Sequence, residues 1–186
     1  MKEDKRGKIM DIRIEKTRSS IINAFLELRS KKAIEKITIK ELCEKAMINK
    51  STFYAHFSDI YALSEYLETQ VITDILKEIE HPEYLLSKPE EFHRQLIYAY
   101  LSHERLTHTL FSGSRAHSFL VCLENGLKEI LFAQRPDLKD DVTVNVVLTY
   151  GVYGGFHAIQ MCRSFGDDAV VDVVALLNKK VAELLE

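Results

Sequence analysis

The sequence is poor in the residues that turn or cross-link a chain. Its 186 residues include seven glycines, three prolines, three cysteines and no tryptophan. So few turn formers favour long helices with short connections over a strand-rich fold. Cys43, Cys122 and Cys162 are widely separated, and none belongs to a Cys-x-x-Cys pair. We expect them to be small buried thiols in a reducing compartment rather than parts of a disulfide framework.

Long apolar runs are also missing. The first 16 residues hold no apolar stretch suited to a signal peptide, and nowhere do 18 apolar residues follow one another. We therefore expect a cytoplasmic protein that does not span a membrane. The composition, 46% hydrophobic and 28% charged, is sufficient for a buried core and a soluble surface.

Charge is unevenly distributed along the chain. Residues 1–57 contain 14 Lys and Arg against 8 Asp and Glu, whereas residues 58–186 contain 11 against 20. A basic head on an acidic body is typical of a protein with one polyanion-binding end. A chance cluster of solvated lysines would give the same counts, so the charge alone leaves both interpretations open.

Apolar residues recur at helical spacing along the chain and predict an all-α fold of about nine helices. The predicted helices cover about residues 10–31, 39–46, 50–56, 59–80, 87–101, 103–111, 115–134, 138–164 and 167–185. We expect an N-terminal three-helix domain over residues 1–60 and a larger helical domain over residues 61–186. Capping boxes are predicted at Thr38–Glu41 and Ser87–Glu90, since each pairs a hydroxyl with a glutamate three residues on.

Residues 38–57 fit a helix-turn-helix. A helix of two turns is followed by the four-residue turn 46–49 and a short helix capped by Asn49. The second helix of such a unit enters the major groove with its first residues against the base edges. Lys50 supplies a cation there, and the free N–H groups of the helix start favour phosphate.

The stretch ITIKELCEKAMINKSTFYAHF (residues 37–57) resembles the TetR family of bacterial regulators. The family pattern is roughly I-T-x-x-x-I-A-x-x-A-G-V-S-x-x-T-[FL]-Y-x-H-F, and the similarity covers about residues 12–67. The resemblance implies a homodimer that binds a palindromic DNA operator and is released by a small-molecule effector, which the sequence does not identify. It also implies that the expected repressor is not an enzyme and needs no cofactor.

The resemblance assigns a role to individual positions of the helix-turn-helix. Thr38 holds a phosphate, the residues that open the third helix face the bases, and the Tyr and His of the Y-x-H-F motif grip the DNA backbone. The expected DNA-binding residues are Thr38, Lys40, Lys50, Ser51, Thr52, Tyr54 and His56. Tyr54 as a packed core residue and His56 as an ordinary surface histidine are the structural alternatives.

Two positions depart from the family pattern. Met47 stands where the family has a turn glycine, so the turn must accept strain or change its form. Ile60 stands where the family has a phosphate-binding lysine, which predicts a shallower salt dependence of DNA binding.

The C-terminal half contains a heptad-like apolar seam and a helix with three glycines. The resemblance implies that the last two helices form the dimer interface. We expect Gly151, Gly155, Val170, Val174, Leu177 and Val181 to lie there. Burial of these residues within one subunit is the alternative.

Aromatic residues are frequent between Phe92 and Tyr153, and the family encloses its effector in this region. The expected pocket residues are Tyr98, Phe111, Phe119, Tyr150 and Tyr153. An all-helical core would use the same residues, so core packing remains the alternative for each.

Enzyme and metal sites find little support. Glu104 and His108 share a helix face, but no third ligand follows at a recognisable spacing, and His103 lies off that face. The Ser112–Ser114 stretch lacks the flanks of a nucleophile elbow. The remaining rival to a DNA-binding regulator is a TetR-like helical module that acts through protein partners, with weak or no specific DNA binding.

Overall fold

The structure, a computed structural model, describes residues 3–185, with side chains described from residue 12 onward. Within this part of the chain there are ten α-helices and no strand, which confirms the all-α class. The helices are α1 (Glu3–Arg29), α2 (Ile39–Ala46), α3 (Lys50–Tyr54), α4 (Ile60–Lys77), α5 (Tyr84–Ser87), α6 (Pro89–Ser102), α7 (Glu104–Leu110), α8 (Ser118–Gln134), α9 (Val142–Cys162) and α10 (Asp167–Ala182).

The chain divides into two compact units. The first comprises residues 1–68 and 108–114, and the second comprises residues 69–107 and 115–186. The expected domain boundary at residue 60 therefore falls inside the first unit. Because a later segment returns to the first unit, the chain passes between the units three times.

The first unit is built on apolar side chains that helical spacing brings to the inner faces of α1 to α4. Phe25, Leu42, Phe53 and Leu63 are each fully buried. Burying side chains of this size contributes about 1.5–3 kcal/mol each, which fixes the short helices α2 and α3 that would be marginal alone.

The buried Arg29 at the end of α1 holds the returning segment in the first unit. Its Nη2 atom donates to the carbonyl oxygens of Leu110 at 3.3 Å and Ser112 at 3.0 Å, and its Nη1 atom donates to that of Lys32 at 3.2 Å. A buried guanidinium is costly unless its N–H groups find acceptors, and these carbonyls supply them. Leu110, fully buried, adds apolar packing to the same segment.

The second unit is centred on α10, which packs against α6 and α9. Its core includes Ile97 from α6, Ile159 from α9, and Val170, Val171 and Val174 from α10. Valine-rich helices have low intrinsic propensity, so α10 depends on this packing for its stability.

Two expected helix starts are wrong. Ser87 ends the four-residue helix α5, which apolar spacing did not reveal, and its hydroxyl donates to the Glu83 carbonyl at 3.0 Å. The capping box expected at Ser87–Glu90 therefore does not form, and α6 opens on Pro89 without a side-chain cap. Helix α9 starts at Val142 rather than near residue 138, because Asp141 caps it by accepting from the Val144 N–H at 3.0 Å.

The segment Val142–Phe165 is long and apolar enough, by length and composition, to cross a membrane. The core helix of a protein outside membranes meets the same criterion, and here only 28% of the most apolar window is buried within the chain. The expectation that the chain does not span a membrane, drawn from uninterrupted apolar runs, stays a prediction.

Candidate functional sites

Helix α2 begins with half of the expected capping box. The Thr38 hydroxyl oxygen accepts from the Glu41 N–H at 3.2 Å, as the motif predicts. The Glu41 carboxylate does not return to the cap, because it forms an ion pair with Lys32 instead. Thr38 remains exposed at the helix start, where its hydroxyl and the first free N–H groups point to solvent.

The turn after α2 accepts the strain that the missing glycine implies. Met47 has φ 55° and ψ 44°, the left-handed conformation, and is the only non-glycine residue with positive φ among the described residues. The Ile48 N–H donates to the Cys43 carbonyl at 3.0 Å and closes the helix end. The Met47 side chain is 91% exposed, so no burial compensates for its backbone conformation.

The start of α3 is organised around Asn49. Its Oδ1 atom accepts from the Thr52 N–H at 2.7 Å, the Ser51 hydroxyl at 2.7 Å and the Thr52 hydroxyl at 2.9 Å. The backbone donor identifies this atom as the oxygen, so both hydroxyls must donate to it. The sequence predicted that Asn49 caps α3. It did not predict that the same oxygen also accepts from the Ser51 and Thr52 hydroxyls, which holds them in fixed positions.

Helix α3 separates an inner aromatic face from an outer polar one. Phe53 is fully buried and Phe57 nearly so, with ring centroids 6.2 Å apart. Tyr54 is 55% exposed, His56 is half-buried and Lys50 is exposed. The fixed inner rings thus orient the outer side chains, and Tyr54 does not take the core position that was its alternative.

A cation on α1 braces these aromatic anchors. The Arg18 guanidinium lies 4.3 Å from the ring centroid of Tyr66 and 5.8 Å from that of Phe57. Contacts of this kind contribute about 0.5–2 kcal/mol. The regular spacing of apolar residues gave no indication of this contribution by Arg18.

Much of the positive charge in the first unit is paired. Glu27 lies 2.6 Å from Lys45 and 2.9 Å from Lys31, and hydrogen bonds from these two ammonium groups lower its pKa. Lys40, expected to contact DNA, lies 3.9 Å from Glu44. Lys50 pairs with no carboxylate of residues 12–185, so no acidic partner offsets its positive charge beside the start of α3.

The exit from the helix-turn-helix carries no cation. Ile60 opens α4 and is 6% exposed, so it belongs to the core of the unit. Asp59 caps this helix by accepting from the Ala62 N–H at 2.8 Å. The apolar Ile60 thus stands where the family pattern has a phosphate-binding lysine, and an acidic residue directly precedes it.

In the second unit, residues of four helices line a small, partly open cavity of about 40 Å³. Its walls are mostly apolar, with His93, Tyr100 and Asn178 as the polar members of the lining. The lining residues are His93, Leu96, Ile97, Tyr100, Phe119, Leu123, Gly151, Val152, Gly155, Phe156, Ile159, Val174 and Asn178. Burial raises the pKa of Tyr100 to about 12.

Of the five expected pocket residues, only Phe119 lines this cavity. Tyr98 is exposed and donates to Asp168 at 2.9 Å, and Tyr150 is 64% exposed. Phe111 is buried in the first unit, and the Tyr153 ring faces His117 at 6.4 Å between centroids. These four do not line this cavity, because aromatic content does not tell which side of a helix faces inward, and their assignment to an effector pocket stays a prediction.

The expected dimer-interface residues mostly lie inside the second unit. Gly151, Val170 and Val174 are buried, and a Cβ on Gly155 would meet Val174 at 3.3 Å. Within one chain these four residues pack inside the second unit, which favours the alternative of burial within one subunit, and their place in a dimer interface stays a prediction. Leu177, by contrast, is 57% exposed, and Val181 is half-buried.

A different apolar surface is exposed on the last two helices and the turn between them. Its members are large apolar side chains of α9, α10 and the segments that follow each helix, and each is exposed in the chain. They are Val142, Val146, Tyr150, Met161, Phe165, Val173, Leu176, Leu177 and Leu184. We call this set the C-terminal apolar face. Gly154 lies along it, exposed, and a Cβ there would meet no atom within 4 Å.

The side chains considered for enzyme or metal chemistry have other partners. The Glu104 carboxylate pairs with Arg163, whose Nη2 atom lies 2.9 Å from Oε2. His103 Nδ1 lies 3.0 Å from the Ala99 carbonyl oxygen. Across residues 12–185 no group of three or more His, Cys, Asp or Glu side chains is placed to hold a metal ion.

Comparison of the chain with models of known protein families and with curated proteins found no match to either. The geometry of the two units and the motif itself are therefore the evidence for function.

Proposed function

We propose that the protein is a DNA-binding transcriptional regulator of the TetR type. In this proposal the protein acts as a homodimeric repressor in the cytoplasm. The observation that carries it is α3, whose start presents Lys50 and Ser51 to solvent while Phe53 and Phe57 anchor the helix from behind. A short rigid helix with an exposed polar start, braced by α2, suits insertion into a major groove about 12 Å wide.

The contacts in the proposed complex are of two kinds. Lys50, Ser51 and Thr52 open α3 and would face base edges, which gives sequence preference. Thr38, Lys40, Tyr54 and His56 would contact phosphates and fix the register without reading sequence. Lys40 is held near Glu44, so binding phosphate requires that it leave an exposed ion pair of small energy.

A dimer is supported by the C-terminal apolar face. Exposed apolar side chains on helices are the kind of surface that interfaces between helical subunits bury. A second copy placed by a two-fold axis would bury the same face on both chains. Two copies of α3 would then read palindromic half-sites about one helical turn apart.

Effector release is part of the same proposal. Its support is the cavity of about 40 Å³ in the second unit, with polar atoms facing an apolar interior. The segment 108–114 provides a covalent route by which a change in the second unit reaches the first, because Arg29 holds that segment in the first unit.

The decisive experiment is selection of bound sequences from random DNA with the full-length protein. We expect an enriched palindrome whose binding weakens with salt, with a slope set by the number of phosphates contacted. Lys50→Ala should change which sequence is enriched, and Lys139→Ala, an exposed lysine of the other unit, should leave the enrichment unchanged. Absence of any enriched, salt-sensitive site would remove the proposal.

The alternative is a helical module that acts through protein partners. The negative Asp59 at the exit of α3 and the paired lysines around Glu27 favour it, because both reduce attraction to phosphate. In that case the selection would enrich nothing, and the exposed outer face of α3 would bind a protein instead.

A further inference from the structure

The hydroxyl protons of Ser51 and Thr52 are used within the protein. Both hydroxyls donate to Asn49 Oδ1, Ser51 at 2.7 Å and Thr52 at 2.9 Å. Among the residues that the structure describes, neither hydroxyl forms another hydrogen bond. A hydroxyl has one hydrogen and two lone pairs, so each of these two retains only the capacity to accept.

These two acceptors belong to the part of α3 that the proposed function places in the major groove. Ser51 is exposed and Thr52 is half-buried, so a donor outside the protein can approach their oxygen atoms. Phe53, the next residue, is fully buried and fixes the helix from behind. The protein therefore presents oxygen lone pairs at these positions, oriented before DNA binds.

Thr38 has the opposite polarity. Its Oγ1 atom accepts from the Glu41 N–H at 3.2 Å, and across residues 12–185 its hydroxyl donates to no acceptor. A phosphate oxygen only accepts, so the unused proton of Thr38 suits a phosphate, whereas the protons of Ser51 and Thr52 are already taken. The hydrogen bonds of the protein alone thus separate one phosphate contact from two base contacts.

We propose that Ser51 and Thr52 select a base with an amino group in the major groove, adenine or cytosine, over guanine or thymine. The N6 amino group of adenine and the N4 amino group of cytosine donate there, whereas O6 of guanine and O4 of thymine accept. An amino hydrogen meets the lone pairs of these hydroxyls without any change in the protein. This inference rests on the proposed function, because it names the class of base that α3 reads.

The size of the preference follows from the hydrogen bonds to Asn49. Guanine or thymine at the same place would require a hydroxyl to turn its proton away from Asn49 Oδ1. The net contribution of one such hydrogen bond corresponds to about two- to tenfold in affinity. Lys50 carries only donors and favours guanine, so it is not the source of a preference for amino groups.

The test begins with selection from random DNA by three full-length proteins, the parent, Ser51→Ala and Thr52→Val. A base position whose preference weakens in a variant is the one that the missing hydroxyl contacts. We expect adenine or cytosine at that position in the parent. Guanine or thymine there, or no position that responds to either variant, would overturn the inference and leave the proposed function standing. A parent that enriches no sequence would remove both.

Deletion of the amino group from the DNA then tests the contact itself. At the responding position, adenine is replaced by purine or cytosine by 2-pyrimidinone, each of which lacks only the exocyclic amino group. We expect the parent to lose about two- to tenfold in affinity. The variant that responded at this position should lose less, because its contact is already absent. Equal losses in the two proteins would contradict the inference.

Asn49 acts as a positioning residue, and two substitutions test its effect on the hydroxyls. Asn49→Asp keeps an acceptor oxygen and a good helix cap, whereas Asn49→Gly removes the oxygen at small cost to the helix. Asn49→Asp should bind all DNA more weakly, because of its added negative charge, and retain the preference for the amino base. Asn49→Gly should accept guanine or thymine there as well, since the hydroxyls can then turn to donate. An unchanged preference in Asn49→Gly would overturn the inference.

Discussion

At the scale of single residues, Met47 gives the turn between α2 and α3 an unfavourable backbone conformation. A left-handed conformation costs a side-chain-bearing residue about 1–2 kcal/mol. The methionine recovers none of this by packing, because it is almost fully exposed. The turn is therefore held in shape by the buried residues on either side of it.

Met47→Gly should consequently stabilise the protein, by up to about 1 kcal/mol after the added freedom of the unfolded chain is counted. Chemical denaturation of the two proteins measures the difference. Met47→Val is the opposite control and should destabilise, since a β-branched residue resists positive φ. Equal stability of the glycine variant and the parent would mean that the turn carries no strain.

The half-buried His93 on α6 predicts a pH dependence of stability. Its pKa is lowered in the folded protein, so between that value and the ordinary value of about 6.5 the unfolded chain binds more protons. Stability should therefore be complete above about pH 6.5 and fall as the pH drops below it, by up to about 1.4 kcal/mol per unit for this residue. Denaturation of His93→Phe across the same range should show a flatter profile; parallel profiles would contradict this assignment.

At the scale of elements, the sequence predicted where the long helices lie and how α2 and α3 are capped. These features depend on neighbours in sequence, as with Thr38 and Asn49. It could not predict which stripe of α10 faces inward, because that helix is apolar on more than one side. Val174 is buried and Val173 is 57% exposed, although the two are adjacent. The four-residue α5 was too short to show any spacing.

Helix α3 allows a test that separates its two kinds of contact. Tyr54→Phe and His56→Ala should weaken binding to every DNA sequence alike, whereas Lys50→Ala should change the preference among sequences. Titrations of the selected operator and of unrelated DNA at one salt concentration distinguish these outcomes. The phosphate assignment fails if Tyr54→Phe and His56→Ala bind both DNAs as the parent does.

At the scale of the whole molecule, the proposed dimer depends on the C-terminal apolar face. Residues such as Val146 and Leu177 are more than half exposed in one chain, and the segment that contains Val146 also satisfies the composition of a membrane helix. A second copy of the chain and a lipid bilayer are therefore the two alternatives for burying this surface. Only the first predicts that the purified chain dimerises in water.

We expect a dimer in sedimentation velocity experiments, and Val146→Glu or Leu177→Glu should convert it to a monomer. A carboxylate placed in an apolar interface loses its hydration without gaining a partner. Lys139→Glu, an equally exposed position elsewhere, should remain dimeric. A parent chain that is monomeric in buffer and partitions into lipid vesicles would refute the dimer.

The returning segment 108–114 has a consequence for how the protein is made. The first unit is not continuous in sequence, so two of the carbonyl acceptors of Arg29, those of Leu110 and Ser112, do not yet exist when α1 to α3 leave the ribosome. Until synthesis has passed residue 114, the Arg29 guanidinium lacks these two acceptors and the first unit remains incomplete. A gene fragment that ends after α4 would lack this segment, so helices α1 to α4 alone cannot form the complete first unit in another protein.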